Sequence, residues 1–215
     1  EGDWDAAHAL FTQAVGVAQS FGHAPLAAYS RLGVLTSEFS ANPSPSLIEP
    51  LEAMLSTLRE QPRAHVLAGC LGLLADARLE IGDPTAEAEL REILAISREH
   101  SLAQMIPEAE VGLGRVALLR GDLASAGDHF ASALIGSRRE SLALVEAMAL
   151  RGQGDVALLE ATTTAQPSAR ARALWQQGLE AAVSPRSVVA ATLRARLEAS
   201  DAVGGKLATY ERDGY

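Results

Sequence analysis

Cysteine is nearly absent from this sequence. Cys70 is the only one, so no intrachain disulfide can form and no thiolate cluster can hold a metal. Its neighbours, Ala68-Gly69 and Leu71-Gly72, read as a small apolar packing site. Aromatic residues make up only 4%, too few for a β-sandwich, whose strands are rich in aromatic and β-branched side chains. Lys206 is the only lysine among 18 basic residues, a bias that, with abundant alanine and glycine, goes with a GC-rich bacterial genome. No apolar run reaches the 18 or so residues of a membrane-spanning helix, and no signal-peptide pattern follows Glu1. A cytoplasmic location is the default expectation. The chain opens Glu-Gly-Asp without methionine, as a segment cut from something longer would.

Catalytic patterns are also missing. There is no H-E-x-x-H, and His8, His23, His65, His100 and His129 lie far apart, so neither a metal site nor a cofactor is expected. No serine lies in a G-x-S-x-G elbow. Arg151-Gly152-Gln153-Gly154-Asp155 contains a G-x-G, but a helical pattern precedes it, not a strand, and no third glycine completes a phosphate loop. Small residues for tight helix packing explain it better. Glu87-Ala88-Glu89 and Glu108-Ala109-Glu110 read as solvated helix faces, and Arg138-Arg139 as the positive end of a helix. No enzyme is expected.

What the sequence does contain is a repeat. Of its 215 residues 48% are apolar and about a fifth are alanine, the best helix former. Gly114-Arg115-Val116-Ala117-Leu118-Leu119 returns forty positions on as Gly154-Asp155-Val156-Ala157-Leu158-Leu159. Gly121-Asp122 is preceded by Gly82-Asp83 and, at the start, by Gly2-Asp3. After each comes one spacing of apolar residues: Ala7, Phe11, Ala14, Val15; then Ala86, Leu90, Ile93, Leu94; then Ala126, Phe130, Ala133, Leu134. Leu47, Leu51, Met54, Leu55 and Ala171, Trp175, Gly178, Leu179 repeat it without the Gly-Asp. Steps of three and four mark one helical face. The small first residue lets two helices approach, and the larger one four positions later fills the groove between them. Glycine suits the positive φ of the turn, and Asp3, Asp83 and Asp122 can cap the helices that follow.

These features predict ten helices, near 4–20, 25–38, 46–59, 63–81, 85–98, 103–120, 123–138, 141–160, 168–182 and 186–200. Pro25, Pro62 and Pro107 fall near helix starts, Pro43, Pro45, Pro84 and Pro167 in turns, Pro50 in an early turn, and Pro185 should open the last helix. Ala161–Ser168 reads as a longer loop, and 201–215, with Gly204-Gly205, as a tail or linker. Residues 1–200 are expected to form one domain that begins mid-repeat.

The pattern resembles the tetratricopeptide repeat over roughly residues 1–182. The unit from Glu110 to Leu134 carries it most specifically, through Leu113-Gly114, Ala117, Gly121, Ala126, Phe130 and Ala133. It departs from the family in having Glu110 for the early tryptophan, Ala117 for the first-helix tyrosine, and no proline after Leu134. A period near 40 is similar to the repeat domains of bacterial regulators of the LuxR, AfsR or MalT kind. The resemblance implies an all-α fold: a right-handed α-solenoid of antiparallel helix pairs, with the first helices of the repeats lining a concave groove.

Carried onto this sequence, that groove would present Val34, Asp76, Arg115 and Asp155, then Ser30, Gly72, Val111 and Arg151, then Ser37, Leu79, Leu118 and Leu158, with Glu38, Glu80 and Glu108 close by. The candidate binding residues are Ser30, Asp76, Glu108, Arg115, Arg151 and Asp155. Asp76, Arg115 and Asp155 read either as an internal charge ladder or as the surroundings of an arginine pair, Arg115 and Arg151, that holds a carboxylate. The expected role is a non-enzymatic protein–protein interaction module of a larger regulator. The alternative is an effector-sensing domain that controls an attached transcriptional or ATPase domain. A net charge of −9 argues against direct nucleic-acid binding, which needs phosphates neutralised. No membrane partner is expected. A second copy could cover the apolar stripe of Trp4–Val15, making a homo-oligomer.

Overall fold

The computed structural model describes residues 3–60, 63–161, 169–182 and 187–212, with side chains to 200. Among the described residues there are ten α-helices and no strand: α1 Trp4–Ser20, α2 Ala24–Ala41, α3 Ile48–Glu60, α4 Ala64–Glu80, α5 Glu87–Glu99, α6 Met105–Leu119, α7 Leu123–Arg139, α8 Ala143–Glu160, α9 Ala169–Ala181 and α10 Val188–Arg212. Short 3-10 turns, Pro45–Leu47 and Pro84–Ala86, lead into α3 and α5. Each begins on proline, whose missing N–H costs nothing at a helix start. The helix α10 continues past Ser200, where the sequence reading placed the onset of a tail. Pro62, Pro185 and the expected loop after Ala161, with Pro167, lie outside the described residues.

The chain divides into two compact units, Glu1–Gly112 and Leu113–Tyr215, with the division inside α6. In the first unit α1 packs on α2, α3 on α4, and α4 on α5, and α2 also touches α4. In the second, α8 packs between α7 and α9, α9 on α10, and α8 also touches α10. Packing between successive helices, with alternate helices also meeting, is consistent with helical repeats.

Several joints share one feature: a large side chain on one helix enters a glycine on a neighbouring helix. A Cβ placed on Gly33 would lie 2.5 Å from the Phe11 ring, and one on Gly112 would lie 2.5 Å from Leu90. Phe130 is held from two sides. A Cβ on Gly114 would stand 2.7 Å from its ring, and one on Gly152 would collide with it outright. Gly154 receives the indole of Trp175 in the same way. The G-x-G at 152–154 is thus a pair of sockets, one for α7 and one for α9. Ala126, Phe130, Ala171 and Trp175 are all buried, and Trp175 joins Ala147, Ala157, Val189 and Leu193 in one core. On α1, by contrast, Ala7, Phe11, Ala14 and Val15 are only half-buried, while Leu10, Val17 and Phe21 are exposed.

The turns are equally regular. Gly82 and Gly121 have φ of 70° and 74°, as the sequence predicts for glycine there, and Gly22, which the sequence reading did not single out, has φ of 65°. Ser101 and Ser141 occupy the same place, each at φ 57°. In all five turns the N–H one residue on reaches back to a carbonyl in the last helical turn: His23 to Ala18, Asp83 to Arg78, Leu102 to Ser97, Asp122 to Ala117 and Leu142 to Ser137, at 2.8–3.0 Å. This bond closes a helix C-terminus and needs left-handed backbone at the residue before the donor. For a serine that conformation costs about 1–2 kcal/mol. The matching segments Ser97-Arg98-Glu99-His100-Ser101-Leu102-Ala103 and Ser137-Arg138-Arg139-Glu140-Ser141-Leu142-Ala143 carry it forty residues apart.

The expected caps are present. Asp3 accepts from the Ala6 N–H at 2.9 Å, Asp83 from Thr85 at 2.9 Å, and Asp122 from Ser125 at 3.0 Å. The bonds from Thr85 and Ser125 lower the Asp83 and Asp122 carboxyls below the ordinary range, since an accepted hydrogen bond favours the ionised form. Cys70 is fully buried and its thiol faces the Leu51 carbonyl at 3.7 Å; loss of hydration pushes its pKa up to about 12. It packs and does not react.

Candidate functional site

The candidate residues fall in both units: Ser30, Asp76 and Glu108 in the first, Arg115, Arg151 and Asp155 in the second. In the first unit Ser30 is 2% exposed and so presents nothing to a ligand. Asp76, on α4, is half-buried, and Glu108, in the first turn of α6, remains open to water. The two carboxylates nevertheless feel each other. The surroundings of Glu108 desolvate it, Asp76 adds a like charge, and both effects raise its carboxyl above the ordinary range. Desolvation and the exposed surface pull in different directions, and solvent screening limits the energy involved.

The sign of the consequence is fixed. A carboxyl raised in the folded state favours the protonated form, so its contribution to stability is complete below the unfolded value, about 4.3, and is lost as pH rises through the folded one. Glu108→Gln should therefore melt about 1 °C above the wild type at neutral pH and lose that advantage at acid pH. Thermal melts from pH 3 to 7 check it; a constant difference between the two proteins contradicts it.

In the second unit Asp155 anchors a polar joint. Its carboxylate takes two bonds from the Arg196 guanidinium, at 2.6 and 2.8 Å, and one from Trp175 Nε1 at 3.1 Å. Three helices, α8, α9 and α10, meet on it. Paired, half-buried arginine and carboxylate make charge-assisted bonds of this length. Asp155 is thus satisfied by α10 and α9, residues that the sequence reading did not connect with it. Arg115 and Arg151 are half-buried on α6 and α8, and both are already engaged with neighbours.

A second polar joint went unread in the sequence. Arg78 on α4 bridges Glu52 of α3 at 2.7 Å and Glu89 of α5. One guanidinium holds three successive helices, and the loss of its hydration is offset by bonds to both carboxylates. One Glu89 oxygen and the Ser97 hydroxyl are buried without a partner among the described residues. Elsewhere in the first unit, His8 Nε2 lies 3.0 Å from Glu38 beside an open cleft. The signal for these pairs was weak because glutamates and arginines also populate every solvated helix face.

Among the described residues no three of His, Cys, Asp and Glu are grouped so as to hold a metal ion. Nor is any described helix long and apolar enough to cross a membrane. No protein-family model and no curated protein matches the chain.

Proposed function

We propose that this chain is a non-enzymatic protein–protein interaction module of a larger bacterial regulatory protein. It captures a partner or peptide in the groove of a right-handed, tetratricopeptide-like array. The observation that carries this reading is the forty-residue recurrence of helix, turn and glycine socket, seen in Gly112 and Gly152, Leu90 and Phe130, Ser101 and Ser141. Such units stack because neither helix of a pair buries its apolar stripe alone, and stacking leaves one helix of each pair on an extended binding face. Arg115 and Arg151, on alternate helices of the second unit, would hold an acidic group on the partner.

The test is a double charge reversal. Arg115→Glu with Arg151→Glu should abolish capture of a partner from the native lysate and leave helicity by circular dichroism unchanged. Capture that persists in the folded double variant refutes the arginine pair as the partner's anchor.

A further inference from the structure

The first unit contains a recess of about 360 Å³ bounded by α1, α2 and α3. It lies where packing between successive helices lapses: α3 packs on α4 and not closely on α2, whereas α4 and α5 close on each other. Helical spacing puts Ala27, Ala28 and Arg31 of α2 on one side, Ala53, Met54 and Leu58 of α3 on another, and Val15 and Gln19 of α1 on the third. The three alanines leave the space open, and the buried Met54 and Leu58 form its floor. No acid lines it. Arg31 is the only charged residue there, in a chain whose net charge is −9. Elsewhere in this unit Arg59, Arg78 and Arg91 each hold a glutamate. Arg31 has no hydrogen-bond or ion-pair partner among the described residues, and neither has the Gln19 amide. Arg63 and Arg98 lack one too, but they do not border this recess.

The walls decide what kind of body fits. They are helical, so their backbone groups are largely bonded along the helix. Thr57 turns its hydroxyl toward the Ala53 carbonyl of its own helix. A peptide lying there would bury amide groups without partners, whereas an alkyl chain has none to lose. The volume is at the low end for small-molecule pockets and suits one short chain. We propose that this recess binds the anion of a medium-chain monocarboxylic acid. The Arg31 guanidinium takes the carboxylate through two parallel bonds, the Gln19 amide donates to it, and the alkyl chain lies on Ala28, Met54 and Leu58. The site uses neither Arg115 nor Arg151, so it stands or falls apart from the partner groove.

Titration of the whole chain, isotopically labelled at its methionine methyls, with sodium octanoate at constant ionic strength tests it by NMR. Of the three methionines, Met54, Met105 and Met148, only Met54 borders the recess. Its methyl resonance should shift saturably while the other two hold still. Affinity should rise about fourfold for each methylene from butanoate to octanoate, because each added group leaves water. Octylammonium, the same chain with the opposite charge, should bind about tenfold more weakly or not at all. Arg31→Gln should weaken octanoate by about the same factor. Arg31 is exposed and unpaired, so that variant keeps its fold. An unmoved Met54 methyl, equal shifts of all three methyls, affinity independent of chain length, or full affinity for octylammonium or in folded Arg31→Gln overturns the proposal.

Discussion

Gly154→Ala destabilises the protein by about 1–3 kcal/mol, the usual cost of forcing an atom into a filled joint. The sign is the informative part. In a helix interior alanine is about 1 kcal/mol better than glycine, so propensity alone predicts a gain. The added methyl would collide with the Trp175 indole. That ring cannot swing away cheaply, because its Nε1 is bonded to Asp155 at 3.1 Å and Asp155 is clamped by Arg196 at 2.6 and 2.8 Å. Gly127 supplies the control within α7: a Cβ there meets nothing within 4 Å, so Gly127→Ala should stabilise by up to ~1 kcal/mol. Urea denaturation of the two variants decides the matter. Equal gains in both would mean that Gly154 is not a socket.

Phe130→Ala should cost about 3–5 kcal/mol. The cost of such a cavity depends on how far its walls can collapse. Here the ring is 1% exposed and seated between Gly114 and Gly152, which have no side chains to move into the space. The same geometry predicts coupling. Gly152→Ala alone should be destabilising, because its methyl meets the Phe130 ring, but in a Phe130→Leu background the shorter side chain leaves room for it. A double-mutant cycle should show about 0.5–3 kcal/mol of favourable interaction. Strict additivity would show that residues 130 and 152 do not share a joint.

Much of this architecture was legible beforehand, for reasons that can be given residue by residue. Helix ends followed local chemistry: aspartates at 3, 83 and 122 bond the N–H groups that the first turn leaves open, and glycines at 82 and 121 take up positive φ. The spacing Ala126, Phe130, Ala133 set the buried face of α7, because steps of three and four return to one side of a helix. Ser101 and Ser141 were missed as turn residues. Serine has no intrinsic preference for left-handed backbone, and only the similarity of the two flanking segments could have flagged them.

The candidate site was harder to read. Placing Ser30 on a ligand-facing rung assumed that every first helix turns the same positions outward, whereas Ser30 is buried. The run from Gly152 to Gly154 announced close helix contact, but not that Phe130 and Trp175 were the two side chains received.

Local sequence thus determined most of the helix boundaries and which stripe of α3, α5, α7 and α9 turns inward. Caps, turns and helical periodicity act over fewer than about a dozen residues and need no knowledge of the rest of the chain. Tertiary structure alone decided which charges meet. Asp155 found Arg196 and Trp175 rather than an arginine forty positions upstream, and Arg78 chose Glu52 and Glu89 from many acids. A long charged side chain can reach several partners at similar cost. The choice among them falls to the relative placement of whole helices, to which, around α8, Gly152 and Gly154 and the rings that fill them contribute.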